Sequence, residues 1–328
     1  FVQATMACFA LMAFASATHD IAADGLYMLG LSEGDQSLFV GIRNTFYRIA
    51  SIAGQGGLLI VAGLLEKSTG TVRTAWSLTF LIAAIIMILL AIFHIKVLPK
   101  PNNDTQSATS AKQLAIGFIQ TFKTYFCKPD IVTAVLFILL YRFPEAQLTK
   151  ICPLFLIDPL ENGGLGLSTE QVGFVQGTLG VIGLLLGGIL GGTAISWKGL
   201  KKCLWPMVIA ISLPDLVYVY LSYFPTDNMF TIGSCIFVEQ LGYGFGYTAY
   251  TLFLIYFARG EQQTSHYAIS TGIMALGMML PGMISGQLQE IMGYKMFFIW
   301  IIACCSITFI VSALIKFEPD FGKKKTEK

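Results

Sequence analysis

Charged and polar side chains set into apolar runs are where chemistry has to be sought in this chain. A charge at the centre of a lipid-facing helix costs about 2.5–3.5 kcal/mol on the insertion scale, so such groups face a cavity or a partner. Asp20 and Asp24 lie four apart, hence on one helix face, with His19 beside them. In the next apolar run Arg43 is followed by Asn44, Arg48, Ser51 and Gln55, the last four recurring at helical spacing. Asp24 lies roughly 8 Å and Arg43 roughly 9 Å from the inner ends of their runs, Asp20 roughly 14 Å and Arg48 roughly 17 Å. Opposite charges at matching depths suggest two cross-helix pairs, Asp24–Arg43 and Asp20–Arg48. Each pair either locks two helices together or takes part in function.

A second set stands further along. Arg142 and Glu145, three apart, can pair along a helix, with Lys150 beyond them. Pro144 between them should kink that helix and free backbone carbonyls. Asp215 follows Pro214 near the centre of its run, and Glu239 and Gln240 stand near the centre of theirs. Neither acid has a cation close by in its own run. Carboxylates so placed are candidates to bind and release protons, which ranks Glu239, Asp215 and Glu145 as proton carriers. The competing reading is a hydrogen-bonded structural acid. Tyr243, Tyr247 and Tyr250 recur at helical spacing after Glu239, a pattern that suits stacking on sugar rings and equally suits simple packing.

The elements that must hold these residues are membrane helices. Apolar residues make up 55% of the 328 and charged residues 12%, with a mean hydropathy of +0.69. Soluble domains carry about 25% charged residues, so lipid must cover much of this surface. Nine stretches are long and apolar enough to cross a bilayer: 2–29, 37–65, 74–95, 130–157, 169–193, 203–224, 229–257, 265–291 and 297–317. Lys and Arg concentrate in alternate connections, around Lys96–Lys128, Lys198–Lys202, Arg259 and the tail from Lys316. The positive-inside rule then places the 96–129 segment and the C-terminus in the cytoplasm of a multi-pass cell-membrane protein. Within 96–129, Leu114, Phe118, Ile119 and Phe122 share one face, as in an amphipathic helix lying on the inner membrane surface.

Other function classes fall away. His19, His94 and His266 stand in separate runs, and the seven cysteines form no C-x-x-C pair. No metal or cofactor is expected, and the thiols read as free and buried. The loops are too short for a catalytic domain, so the chain reads as neither an enzyme nor a nucleic-acid binder.

An internal echo gives the organisation. Gly34-Asp35-Gln36 and Gly260-Glu261-Gln262 each open a Gly-rich run that closes on Gly and Glu, at Gly63–Glu66 and Gly286–Glu290. Parallel repeats in two halves are a transporter signature. If 37–65 and 265–291 correspond, three spans precede Phe1, which stands inside an apolar run without an initiator Met. The expected whole is twelve spans in two six-helix halves, the major facilitator architecture. The chain then divides into 1–95 (three spans of the first half), a 96–129 linker, a six-span second half at 130–317 and a tail at 318–328.

SATHDIAADGLYM, Ser16–Met28, resembles the fourth-span motif of the muropeptide permease (AmpG-like) family of major facilitators, with Asp20 and Asp24 on its D-I-A-x-D spacing. YRFPEAQLTKICPLFLID, Tyr141–Asp158, with the GLGLSTEQVGFVQGTLG that follows, resembles the family's seventh and eighth spans. His19 stands where Gln is usual, and Gly25 where Ala is usual. The resemblance implies a monomeric, proton-coupled importer of cell-wall sugar-peptides in a bacterial inner membrane. Relatives carry acetyl-coenzyme A or siderophores, and a sugar is a further alternative cargo.

Overall fold

Prolines and glycines decide where the helices of this chain break. The computed structural model describes residues 2–32, 35–36, 39, 42–43, 46–47, 49–50, 54, 57–98, 111–318 and 320–324. These are helical with no strand among them: α1 (Val2–Gly30), α2 (Leu58–Thr69), α3 (Val72–Val97), α4 (Ala111–Phe126), α5 (Ile131–Leu140) and α6 (Phe143–Ile157), then α7 (Val181–Lys198), α8 (Leu200–Ser212), α9 (Leu216–Tyr223), α10 (Met229–Ala258) and α11 (Gln263–Leu314). A π-helical stretch, Gly173–Gly180, runs directly into α7.

Pro144 has no N–H for the carbonyl of Leu140, and its ring crowds that carbonyl. Accordingly α5 ends at Leu140 and α6 restarts at Phe143, with Pro144 in its first turn. Between them Arg142 takes φ −102° and ψ 17°, in the sparsely populated bridge region. Carbonyls near the break find side-chain donors: Tyr250 Oη reaches Ile138 O at 2.7 Å and Thr308 Oγ1 reaches Tyr141 O at 3.0 Å. Pro214 acts in the same way, and a single 3₁₀ turn, Leu213–Asp215, separates α8 from α9. Gly293, at φ 70°, interrupts the 52-residue α11 between the segments read from sequence as two spans.

Two compact units divide the residues. One is Arg43–Asp104; the other combines Phe1–Ile42 with Thr105–Lys328. In the smaller unit α2 and α3 are joined through Gly70, which turns at φ 70°. Along α3 the side chains of Phe80, Ile85, Met87, Ile88 and Phe93 are exposed, a surface that only lipid or apolar protein can cover. In the larger unit α10 is the packing centre. A Cβ at Gly187 of α7 would lie 2.1 Å from Leu241 O, and one at Gly242 2.1 Å from Ala210 O of α8. Such backbone approach is how membrane helices associate without a hydrophobic drive between them.

Six helical stretches among the described residues are long and apolar enough to cross a membrane: Gln3–Gly30, Val72–Val97, Ile131–Ile157, Gly173–Lys198, Leu200–Tyr223 and Gln263–Leu314. The expected nine differ for physical reasons. The 37–65 run lies largely outside the described residues. The run at 229–257 is the single 30-residue helix α10, which carries Glu239, Gln240, Tyr243, Tyr247 and Tyr250 and is not among the six. The last two expected spans form one element broken at Gly293. Helix α4 forms where the amphipathic pattern predicts it, with Phe118 and Ile119 exposed and Tyr125 turned inward to Ser270 at 2.9 Å.

The interior of the larger unit has three levels. One apolar cluster gathers Phe137, Ile138, Met207, Tyr250, Phe253 and Val311; the other gathers Leu148, Phe155, Tyr218, Ile236 and Phe298. Each of the paths α5–α6, α8–α9, α10 and α11 runs from one cluster into the other. At the crossover each buries polar groups: Arg142 and Glu145, Ser212 and Asp215, Glu239, and Thr308.

Candidate functional site in a buried polar layer

The centre of this layer is a cation in a ring of aromatics. Arg142 Nε donates to Glu145 Oε2 at 2.9 Å and Nη2 donates to Oε1 at 3.2 Å, a two-point contact between groups only 9% and 8% exposed. The same Nη2 donates to Tyr243 Oη at 2.6 Å. The guanidinium carbon sits 4.6 Å from the ring centre of Tyr247. Planar guanidinium suits both two-point carboxylate binding and aromatic stacking, which an ammonium does not. Tyr250 lies 5.9 Å from the same carbon and has a second role, stacking on Tyr141 at 5.3 Å and 12° while its hydroxyl donates to Ile138 O. All three predicted tyrosines therefore surround the cation, and one of them also braces the helix break.

Beside it lie two acids. Glu239 accepts from Tyr218 Oη at 3.1 Å and from Gln240 Nε2 at 2.9 and 3.2 Å. A chain of weaker donors continues behind Tyr218, with Cys152 Sγ donating to its hydroxyl at 2.9 Å and Gln176 Nε2 donating to Cys152 Sγ at 3.3 Å. Asp215 accepts from Cys305 Sγ at 3.8 Å, a weak partner for a buried carboxylate. Among the described residues neither Glu239 nor Asp215 forms an ion pair. Asp215, Glu239 and Glu145 are all buried at the crossover between the two apolar clusters.

The remaining predicted positions are dispersed. Lys150 is exposed on α6, away from the Arg142 cluster. Asp24 is buried on α1, near where Gly25 approaches Thr264 of α11, whereas Asp20 is exposed. Arg43 opens the smaller unit and is half-buried. Arg48 and Gln55 lie outside the described residues, and with them the Asp20–Arg48 pair. All seven cysteines are free, as expected, yet Cys8 and Cys127 are exposed rather than buried.

Sequence reasoning passed over Tyr218, Cys152, Cys305 and Gln176. Tyr218 was findable, since it lies one helical turn after Asp215. The thiols and Gln176 carry no pattern of their own; only the packing of α6, α9 and the π-helical stretch joins Cys152 and Gln176 to Tyr218, and only the packing of α11 brings Cys305 to Asp215. The π-helical stretch is also a feature that recurs at functional sites.

Comparison with known proteins gives a consistent picture. The family model described as Major Facilitator Superfamily matches residues 1–284. "Putative transporter AmpG 4" of Rickettsia felis is 26% identical over 93% of this chain and 71% of its own length. Its namesake in Rickettsia conorii is 25% identical over 89% of this chain and 67% of its own length. The "Anhydromuropeptide permease" of Escherichia coli K12 is 26% identical over 89% of this chain, which spans 56% of that permease.

Proposed function

The chain belongs to the Major Facilitator Superfamily, and from that premise we propose that it serves a secondary active transporter importing anhydro-muropeptides with protons by alternating access. One observation carries this reading: a buried Arg142–Glu145 pair under an aromatic wall, in one layer with two acids that have no cation partner among the described residues. A muropeptide offers sugar rings and peptide carboxylates. Arg142 can take a cargo carboxylate in the two-point geometry it now shares with Glu145. Tyr243 and Tyr247 can stack on a sugar face.

Proton coupling follows from charge balance. Among the described residues Glu145, Asp215 and Glu239 share one buried cation, Arg142, so full ionisation would leave two uncompensated charges in a buried layer. Protons supply the balance. A proton on Glu145 would release Arg142 to the cargo, and loss of that proton would return Arg142 to Glu145 and expel the cargo. The permease name of the Escherichia coli relative supports the cargo, and the buried layer supports the coupling.

The test is uptake of labelled anhydro-muropeptide by the reconstituted protein, with and without an inward proton gradient. Gradient-driven accumulation is the expected result. Uptake without dependence on the gradient removes the proton-coupling half of the proposal. No uptake by folded protein removes the cargo, and sugars, acetyl-coenzyme A and siderophores become the substrates to screen.

A further inference from the structure

Far from the polar layer, three long helical paths reach one end of the larger unit together. There α5 begins at Ile131, α10 ends at Ala258 and α11 ends at Leu314. Between them lies a cavity of about 310 Å³ lined by Lys128, Arg259 and Lys316, with Asp130 and Glu318 on its rim and Tyr256 and Phe257 in its wall. At about 30 Å³ per water, that is room for about ten non-hydrogen atoms, the size of a phosphoglycerol headgroup.

The cations are arranged for an anion. Lys128 Nζ donates to Phe257 O at 2.6 Å and Arg259 O at 2.8 Å, closing the C-terminal end of α10. An ammonium has three donors, so one remains for a ligand. Burial lowers Lys128 from the usual lysine range to about 8, leaving it largely charged at neutral pH. Lys316 is exposed at the mouth. Arg259 lies 4.2 Å from the ring centre of Phe321 and meets Glu318 at 3.1 Å. Glu318 is 68% exposed in that contact, so its carboxylate is held weakly and can be exchanged. The turn that delivers Lys128 is itself unusual. Asp130, at φ 58°, is the one non-glycine residue with positive φ among the described residues, a conformation found at ligand clamps.

We propose that this cavity binds the phosphate of an anionic phospholipid headgroup, with Lys128, Arg259 and Lys316 as donors and Glu318 as the internal carboxylate that the phosphate displaces. A lipid fits better than a free phosphate because the cavity opens where membrane helices end, at headgroup level. Tyr256 and Phe257 offer the glycerol an apolar wall, and the exposed apolar face of nearby α4 suits the same interface. Basic pockets between helix ends are used in this way.

The experiment measures the thermal midpoint of the detergent-solubilised protein against three probes: dioctanoyl-phosphatidylglycerol, dioctanoyl-phosphatidylcholine and inorganic phosphate. The midpoint should rise with phosphatidylglycerol alone. Lys316→Gln, an exposed change that leaves the fold intact, should weaken the response about fivefold. Glu318→Gln should strengthen it by removing the competing carboxylate. Equal responses to both lipids overturn the proposal, and so does a phosphatidylglycerol response unchanged in both variants. A matching response to inorganic phosphate overturns the lipid assignment.

Discussion

Arg142 does two jobs, and its partners separate them. It forms the hinge between α5 and α6 and holds Glu145 in a two-point pair. Removing one member of a buried pair leaves the other charge uncompensated, at about 3–5 kcal/mol. Glu145→Ala should therefore lower stability by an amount in that range, read from chemical or thermal unfolding in detergent. Glu145→Gln keeps the shape and one acceptor, so it should cost less. It should also retain cargo exchange while losing accumulation against a gradient. A Glu145→Gln protein that still accumulates cargo normally would mean that the pair is purely structural. Tyr218 offers a milder probe. Tyr218→Phe removes the hydroxyl that donates to Glu239 and accepts from Cys152, at about 1–2 kcal/mol with the ring's packing kept. Loss of transport well beyond that of a Cys152→Ala protein would mark the hydroxyl as a positioning group for Glu239.

At the scale of elements, membrane helices here are placed by what they lack. Helix α10 approaches α7 and α8 at glycines, and the Cβ of an alanine at 187 would sit 2.1 Å from the Leu241 carbonyl. Gly187→Ala should push α7 from α10 and cost about 1–3 kcal/mol. Gly286→Ala is the control: nothing lies within 4 Å of its Cβ, so it should be neutral or slightly stabilising. Equal melting midpoints for the two would show that close approach at Gly187 contributes nothing. The sequence announces some of these features and hides others. Pro144 announces a break, and the break falls beside it; Pro214 breaks its helix as well, whereas Pro153, Pro206 and Pro281 lie inside continuous helices. The pattern of α4 announces its exposed face. The π-helical stretch has no signature, because one residue added to a turn leaves the apolar composition unchanged. Nor does composition distinguish a loop from a sharp kink, which is why Gly293 divides α11 without a connecting segment.

Across the whole of the larger unit, four chain paths place buried polar groups at one level, between two apolar clusters. The depths of Arg142, Glu145, Asp215 and Glu239 were legible because position along a helix can be counted from the sequence. Azimuth was not, since it depends on which neighbour a helix packs against. That is why Lys150 reads as a site residue yet lies exposed, and why Asp24 is buried while Asp20 on the same face is not. The layer also makes a demand that no single residue makes, for among the described residues it holds three acids against one cation. Glu239 is the best connected of the acids without a cation, through Tyr218 and Gln240. Glu239→Gln keeps an acceptor for Tyr218 and should hold stability within about 1 kcal/mol. With a pH dye in the lumen of proteoliposomes, cargo entry should then no longer acidify the interior, while exchange of labelled for unlabelled cargo continues. Such a split assigns one travelling proton to Glu239, beside the one whose arrival on Glu145 frees Arg142. If acidification persists, Glu239 is a structural acid and the proton must ride on Asp215 or Glu145. If exchange also stops, the layer binds cargo and proton at one place, and Arg142 and Glu239 have to be treated as a single site.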